Sequence, residues 1–284
     1  MTLRAALPAD VPALDAFLLA HADGAMFPLA NLRDHGPGPG DHRHATRFWI
    51  AETAGAVTGA VGLTGEGMLL PQWPDGDWPA LRPHLAGAAP IGAVGPAPQV
   101  RAAISALGLA GAPTRTDADE PGFALDLTDL VVPDGPGRLQ PLRSGDAGIV
   151  TPWRAAYLSE LFAMPAAEAA RQAPREVADW IDAGTHHLLW VEGRPVALCG
   201  LNAVLPEIVQ VGGVYTPRAL RGRGHARRAM ALMLQAARGR GVRRAVLFAA
   251  SPAAARAYAT IGFSQIDPVG LILFDGAQEV TPWP

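Results

Sequence analysis

The sequence contains no lysine: all 23 basic residues in the 284-residue chain are arginine, alongside 32 glycines and 27 prolines. The absence excludes a P-loop, which needs a lysine after its glycine-rich turn. The skew itself is what the codon bias of a GC-rich genome produces. The one cysteine, Cys199, cannot form an internal disulfide, so a reducing, cytoplasmic setting is expected. It sits in the apolar run 196–199 with no histidine or acid beside it, the setting of a buried structural thiol and not of a nucleophile. No apolar run approaches membrane-spanning length, and no charged-then-apolar leader pattern opens the sequence, so no membrane partner is expected. A net charge of −3 argues against a general nucleic-acid binder, although residues 218–244 are locally basic. The length suits two domains.

Arginine and glycine are concentrated at one place. Arg221, Gly222, Arg223, Gly224, His225 and Ala226 lie between a strand-like run at 208–216 and an amphipathic helix expected over 226–238. In that helix Met230, Leu232, Met233 and Leu234 form an apolar stripe flanked by Arg227, Arg228 and Arg238. A glycine-rich turn that opens a helix offers unpaired backbone N–H groups and the positive end of the helix dipole, a combination that binds phosphate. A dinucleotide fingerprint is excluded, because its third glycine would fall at Arg227. The plain alternative is an arginine-rich helix start on a solvated surface.

The spacing Arg221-x-x-Gly224-x-Ala226 resembles the acetyl-CoA pyrophosphate signature of the GNAT acyltransferase superfamily. The residues downstream keep that family's order: an apolar run at 245–248, a helix start at Ser251-Pro252, Tyr258 shortly before Gly262-Phe263, and a last apolar run at 271–274. The resemblance implies acetyl-CoA as acyl donor, with no metal, and its pyrophosphate on the backbone of Gly222 to Ala226. It implies a strand end, here Val214, Tyr215 and Thr216, that splays from its neighbour to receive the pantetheine arm and thioester. Ser251 stands where the family favours an asparagine. Tyr258 is the implied general acid for the departing thiolate. Glu207 lies near where the family often places a base, and equally fits a solvated residue at a strand start. The acceptor implied is a primary amine, on a small molecule or a peptide, attacking directly. An acyl-CoA sensor without catalysis is the alternative, and a nucleic-acid surface is a remote third reading. The oligomeric state is not readable.

The two halves of the sequence look like diverged copies. Leu3-Arg4 precedes Asp10 and the stripe Leu14, Phe17, Leu18, as Leu139-Gln140 precedes Asp146 and Trp153, Tyr157, Leu161. The hairpin around Gly55 ends at Gly62 and that around Gly193 ends at Gly200, the same step of seven. The first copy has no glycine-arginine turn, and Ile104 stands where Tyr258 does in the second. The fold expected is therefore α/β (α+β), two tandem GNAT-like domains, each a mixed, mostly antiparallel sheet flanked by helices. Residues 1–131 form the degenerate, cofactor-free copy, 132–138 a Pro/Gly linker, and 139–284 the acyl-CoA-binding catalytic copy.

Other clusters receive plainer readings. Asp34, His35, Asp41, His42 and His44 bracket a Pro/Gly loop and lack the spacing of a metal site. His186-His187 starts a hairpin strand and is read as structural. Trp73 and Trp78 are expected to cover a core edge, and the acidic run Asp117 to Glu120 to form a solvated loop.

Overall fold

In the computed structural model, which describes residues 2–282, the chain runs twice through one order of elements. The first pass is β1 (Thr2–Ala5), α1 (Val11–Ala20), α2 (Ala22–His35), β2 (Thr46–Thr53), β3 (Ala56–Thr64), β4 (Met68–Gln72), α3 (Arg82–Leu85), β5 (Gly92–Pro96), α4 (Ala97–Ala106) and β6 (Thr114–Asp126). The second is β7 (Arg138–Pro141), α5 (Ala147–Phe162), α6 (Ala166–Ala183), β8 (His186–Val191), β9 (Arg194–Val204), β10 (Ile208–Tyr215), α7 (His225–Gly239), β11 (Arg244–Phe248), α8 (Pro252–Ala259) and β12 (Ser264–Phe274).

The duplication reaches individual hydrogen bonds. Ahead of α1 the Asp10 carboxylate accepts the Leu7 N–H at 2.7 Å; ahead of α5 the Asp146 carboxylate accepts the Arg143 N–H at 2.9 Å. The β2–β3 hairpin turns through Ala54 and Gly55, and the β8–β9 hairpin through Glu192 and Gly193, each a pair of left-handed residues. That turn matches the twist of the strands it joins.

The chain folds into two compact units that interleave in sequence: residues up to Glu120 with those from Asp267 onward, and Pro121–Ile266. In the first, the strand order is β1-β2-β3-β4-β5-β12, antiparallel except for β4–β5. In the second it is β7-β8-β9-β10-β11-β6, antiparallel except for β10–β11. The last strand of each pass therefore joins the sheet of the other pass. Leu271 and Ile272 of β12 pair with Val94 and Ala93 of β5, while Leu125 and Ala124 of β6 pair with Ala245 and Val246 of β11. Residues 132–138 connect β6 with β7 inside the second unit.

The core of the first unit gathers Trp49, Val61, Leu69, Trp73, Leu81, Val100 and Ile104, and from β12 Ile272 and Phe274. Trp73 is buried as expected of a core-edge residue, with the Trp78 ring 5.3 Å away. The acidic run is not a solvated loop. It lies in β6, where Arg101 of α4 bonds the carboxylates of Asp117 and Asp119.

In the second unit α7 packs Ala229, Met230, Met233, Leu234 and Ala237 on one sheet face, against Val209, Val211, Leu247, Ile261 and Phe263. This is the helical spacing of the sequence, with alanines completing the stripe. The other face carries α5 and α6 over Leu188, Leu198 and Tyr215. Among the described residues no helix is long and apolar enough to cross a membrane.

Because Ile272 belongs to the core of the first unit, Ile272→Ala should remove about 2–5 kcal/mol of that unit's stability. Chemical denaturation followed through the tryptophans of the first unit measures it. A midpoint equal to wild type would mean that β12 is not part of that core.

Candidate functional site

The site is set by a ladder that stops. Parallel strands β10 and β11 pair at Ile208↔Arg244, Val209↔Ala245 and Gln210↔Val246, and no further. On its other side β10 pairs with β9, with register shifts between Gln210 and Val211 and between Gly212 and Tyr215. Gly213 and Val214 thus fall at an irregularity on one edge and beyond the last β11 partner on the other. Gly213 has φ +61°, and a Cβ there would lie 2.6 Å from His186 Nε2, so both conformation and space demand glycine.

Past this split the chain turns through a short 3₁₀ segment (Arg218–Leu220) into α7. Gly224 is the N-cap, left-handed at φ 78°, and no side chain caps the helix. The first-turn amides of His225, Ala226 and Arg227 have no intrahelical acceptor by construction of an α-helix. They point out of the positive end of a 15-residue helix, in the setting that holds an anion.

The arginines divide into holders of the turn and open charge. Arg221 folds back: its Nε donates to the Thr216 carbonyl at 2.9 Å, and its Nη2 to Glu160 of α5 at 2.7 Å. Its guanidinium lies 5.5 Å from the Tyr215 ring centroid, a cation–π contact. Arg218 donates to the same carboxylate at 3.0 Å. Arg228 is tied to the Pro133 and Pro136 carbonyls, and Arg227 donates to Thr260 at 3.2 Å. Arg223 is exposed on the turn. His225 is pushed below its ordinary pKa by burial and by the neighbouring Arg223 charge, which favours its neutral form.

The sequence-predicted residues separate into two groups. Val214, Tyr215, Thr216 and the turn from Arg221 to Ala226 gather at the C-terminal end of β10. The Arg227–Thr260 bond ties the start of α7 to the end of α8, bringing Tyr258 and Ser251 to the same end of the parallel pair. Tyr258 is half-buried, its ring 6.2 Å from Phe123 and 6.1 Å from Phe263. Ser251 caps α8, its Oγ accepting the Ala254 N–H at 3.2 Å. Glu207 stands apart. It precedes β10 at the opposite end, its carbonyl accepting the N–H groups of Arg243 and Arg244. At ~3.3 Å per residue it lies roughly 23 Å along the strand from Val214.

Further side chains converge here. Trp153 and Tyr157 of α5 flank Tyr215, with ring centroids 6.2 and 6.4 Å away. Gln210 Oε1, Thr216 Oγ1 and His186 Nε2 are buried polar atoms without a hydrogen-bond partner among the described residues. Buried polar groups in folded proteins are normally paired, so such orphans mark where something else completes the bonding. Thr216 is a residue the sequence already points to, His186 reads as structural there, and nothing in the sequence singles out Gln210.

In the first unit the equivalent parallel ladder is shorter still, pairing β4 with β5 only at Met68↔Gly92 and Leu69↔Ala93, and Gln72 Oε1 is likewise buried without a hydrogen-bond partner among the described residues. Pro71 in β4 has no N–H, the Trp73 N–H is taken by Gln99 Oε1, and a Cβ on Gly95 would sit 2.9 Å from the Pro71 carbonyl oxygen. Between β4 and β5 a 3₁₀ turn (Trp78–Leu81) and the single-turn α3 stand where α7 stands in the second unit.

Residues 153–263 match the model of the family described as Acetyltransferase (GNAT) family. Solved structures share the fold over nearly the whole chain. A tandem GNAT protein from the clavulanic acid biosynthesis pathway is 15% identical with a TM-score of 0.59, covering 100% of this chain and 99% of its own. A GCN5-related N-acetyltransferase from Sphaerobacter thermophilus is 18% identical with a TM-score of 0.56, covering 100% and 96%. A GNAT-family acetyltransferase from Colwellia psychrerythraea is 13% identical with a TM-score of 0.56, covering 97% and 100%. Among curated proteins none matches the sequence. The chain thus has the tandem GNAT fold, with the family match in its second half.

Glu160 titrates as the anchor of this turn. The hydrogen bond from Arg221, then that from Arg218, holds its carboxyl below the ordinary value of 4.5 against the opposing effect of burial. A carboxyl lowered on folding contributes stability that is present above its unfolded pKa and is lost as pH falls through the folded one. Glu160→Gln should therefore show a shallower fall of melting temperature than wild type below about pH 4.5. Equal slopes would remove the ion pair from the forces holding the turn.

Proposed function

We propose that the second unit is an acyl-CoA-dependent N-acyltransferase, moving an acetyl or similar group to a primary amine of a small molecule or peptide by direct attack. The observation that carries this reading is the split after Gln210, opening beside the uncapped N-terminus of α7. A strand edge with unclaimed backbone groups suits the pantetheine amides and the thioester carbonyl, and the turn from Gly222 to Ala226 suits the pyrophosphate. The family match over 153–263 and the fold support acyl transfer as the reaction class.

Acetyl-CoA supplies an activated thioester; the chain's own residues position and protonate. The amide of Val214, at the irregularity of β10, is fixed in place before reaction and is suited to donate to the developing oxyanion. The acceptor nitrogen bonds to the acyl carbon, the C–S bond breaks, and the thiolate takes a proton from the Tyr258 phenol. The proton lost by nitrogen leaves through water, since Glu207 lies at the far end of β10 and reaches the split only through a solvent chain. The first unit, which has no glycine-arginine turn and no counterpart of Tyr258, serves without a cofactor of its own.

A non-catalytic acyl-CoA sensor is the second reading, favoured by the packing of the Tyr258 ring between Phe123 and Phe263. Calorimetric titration with acetyl-CoA, followed by turnover against a panel of amines, separates the two. Gly224→Glu should abolish binding by bulk and by like charge against the pyrophosphate; retained affinity would remove the turn from the site. Tyr258→Phe should bind acetyl-CoA as wild type does and turn over about tenfold slower or worse. Binding by wild type without turnover of any amine supports the sensor.

A further inference from the structure

Beside the split, His186, Asn202 and Gln210 lie on the α5/α6 face of the second sheet, where Asn202 and His186 cover two consecutive glycines. His186 of β8 is cross-strand to Gly200, and Gly200 to Gly212, so all three share that face with Gln210. The His186 ring covers both Gly200 and Gly213: a Cβ would lie 2.2 Å from Cδ2 at the first and 2.6 Å from Nε2 at the second. Asn202, exposed to solvent, covers Gly212, where a Cβ would lie 2.0 Å from its Nδ2. His186 is 1% exposed and Gln210 5%, yet His186 Nε2 and Gln210 Oε1 both lack a partner among the described residues. The ring is not free to turn away. It stacks on Trp180 at 3.9 Å and 11°, and Nδ1 is 2.9 Å from Thr185 Oγ1.

We propose that His186 Nε2 and Gln210 Oε1 bind the nucleophilic group of the acceptor, and that they select an amine that is uncharged when it binds over an alkylammonium ion. The inference rests on the acyl-transfer reading of the same site. Both ligating atoms belong to neutral groups. Burial, then the Arg154 and His187 charges, drives the His186 pKa down to about 3, so the imidazole carries no charge at neutral pH. The carboxylates near this face are already engaged. Glu176 of α6 is bonded by Arg154 of α5 at 2.5 Å and by Gln172 at 2.9 Å, and Glu160 by Arg218 and Arg221. Arg154 itself lies 4.7 Å from the Tyr157 ring and 5.0 Å from the Trp180 ring. An ammonium entering here gives up its hydration without gaining a counter-ion, which disfavours it. An uncharged amine both donates and accepts, so it satisfies Gln210 Oε1 and either tautomer of His186, whereas an ammonium only donates. When His186 accepts through Nε2, the nitrogen's lone pair stays free for attack, so no deprotonation by Glu207 precedes it, and the proton released afterwards leaves through water.

The test is thiol release from acetyl-CoA by the full chain at neutral pH, with hydroxylamine as the weakly basic probe and methylamine as the strongly basic one. Acetyl-CoA affinity is measured separately by calorimetry. Hydroxylamine should be turned over at least about tenfold faster than methylamine, after subtraction of the uncatalysed rates. His186→Phe keeps a ring on Trp180 and removes Nε2; Gln210→Leu removes Oε1 and covers the case in which the first variant fails to fold. Each should raise the hydroxylamine KM about tenfold, the loss of one hydrogen bond, with acetyl-CoA affinity unchanged. Equal use of the two amines, turnover of neither despite acetyl-CoA binding, or an unchanged KM in a folded variant overturns the proposal. Failure of wild type to bind acetyl-CoA overturns the acyl-transfer reading instead.

Discussion

Parallel pairing of β10 with β11 lasts three residue pairs and ends at Gln210, and the rest of the second unit is arranged around that stop. A strand inside a protein that gives up its ladder leaves backbone donors and acceptors with nothing to bond, at a cost of about 1–3 kcal/mol for each one left dry. Such a gap persists only where another molecule completes it. The Gly212–Gly213 irregularity turns the strand at this point, and Arg221 clamps its end to Glu160. The uncapped start of α7, at Gly224, follows nine residues after β10 ends at Tyr215. Each of these features would be a weakness alone; together they bring a strand edge that has lost its ladder partner to the positive end of a helix.

The first unit shows the same fold without the glycine-arginine turn. It keeps the strand order, the hairpin turn and the aspartate that opens the first helix. Its parallel ladder also stops short, after Leu69↔Ala93, and beyond it the Trp73 N–H is taken by Gln99 Oε1 while Trp73 itself is buried. What differs is the segment that follows, which has no glycine-arginine turn and no long helix. Function separates from architecture here by a handful of residues.

The glycine-arginine turn, the hairpin pairs and the repeat were legible because each rests on local chemistry: left-handed glycines, a two-residue turn, an aspartate three residues from the amide it accepts. The partners of β6 and β12 were not legible. Residues 123–127 and 271–274 are both apolar runs that suit any neighbouring strand, and periodicity does not encode which one they join. Arg221 was readable as part of the phosphate signature, but its bond to Glu160 depends on a helix sixty residues earlier in sequence. His186 read as structural because a histidine on a strand gives no sign that its second nitrogen will be left unpaired. Glu207 fits the composition of a base, and only the direction of β10 shows how far from the split it stands.

The exchange of final strands binds the two copies into one synthetic event. Until residues beyond 269 have left the ribosome, β5 has a bare edge where β12 will pair, although all of the earlier strands of its sheet have long been made. At synthesis rates of ~5–20 residues/s that interval is on the order of 10 s or longer. An apolar edge exposed for so long invites pairing with another nascent chain. Pro96 at the end of β5 and the short length of that strand limit the hazard. The same exchange means that neither copy can be lost, shuffled or inherited alone without taking a strand from the other.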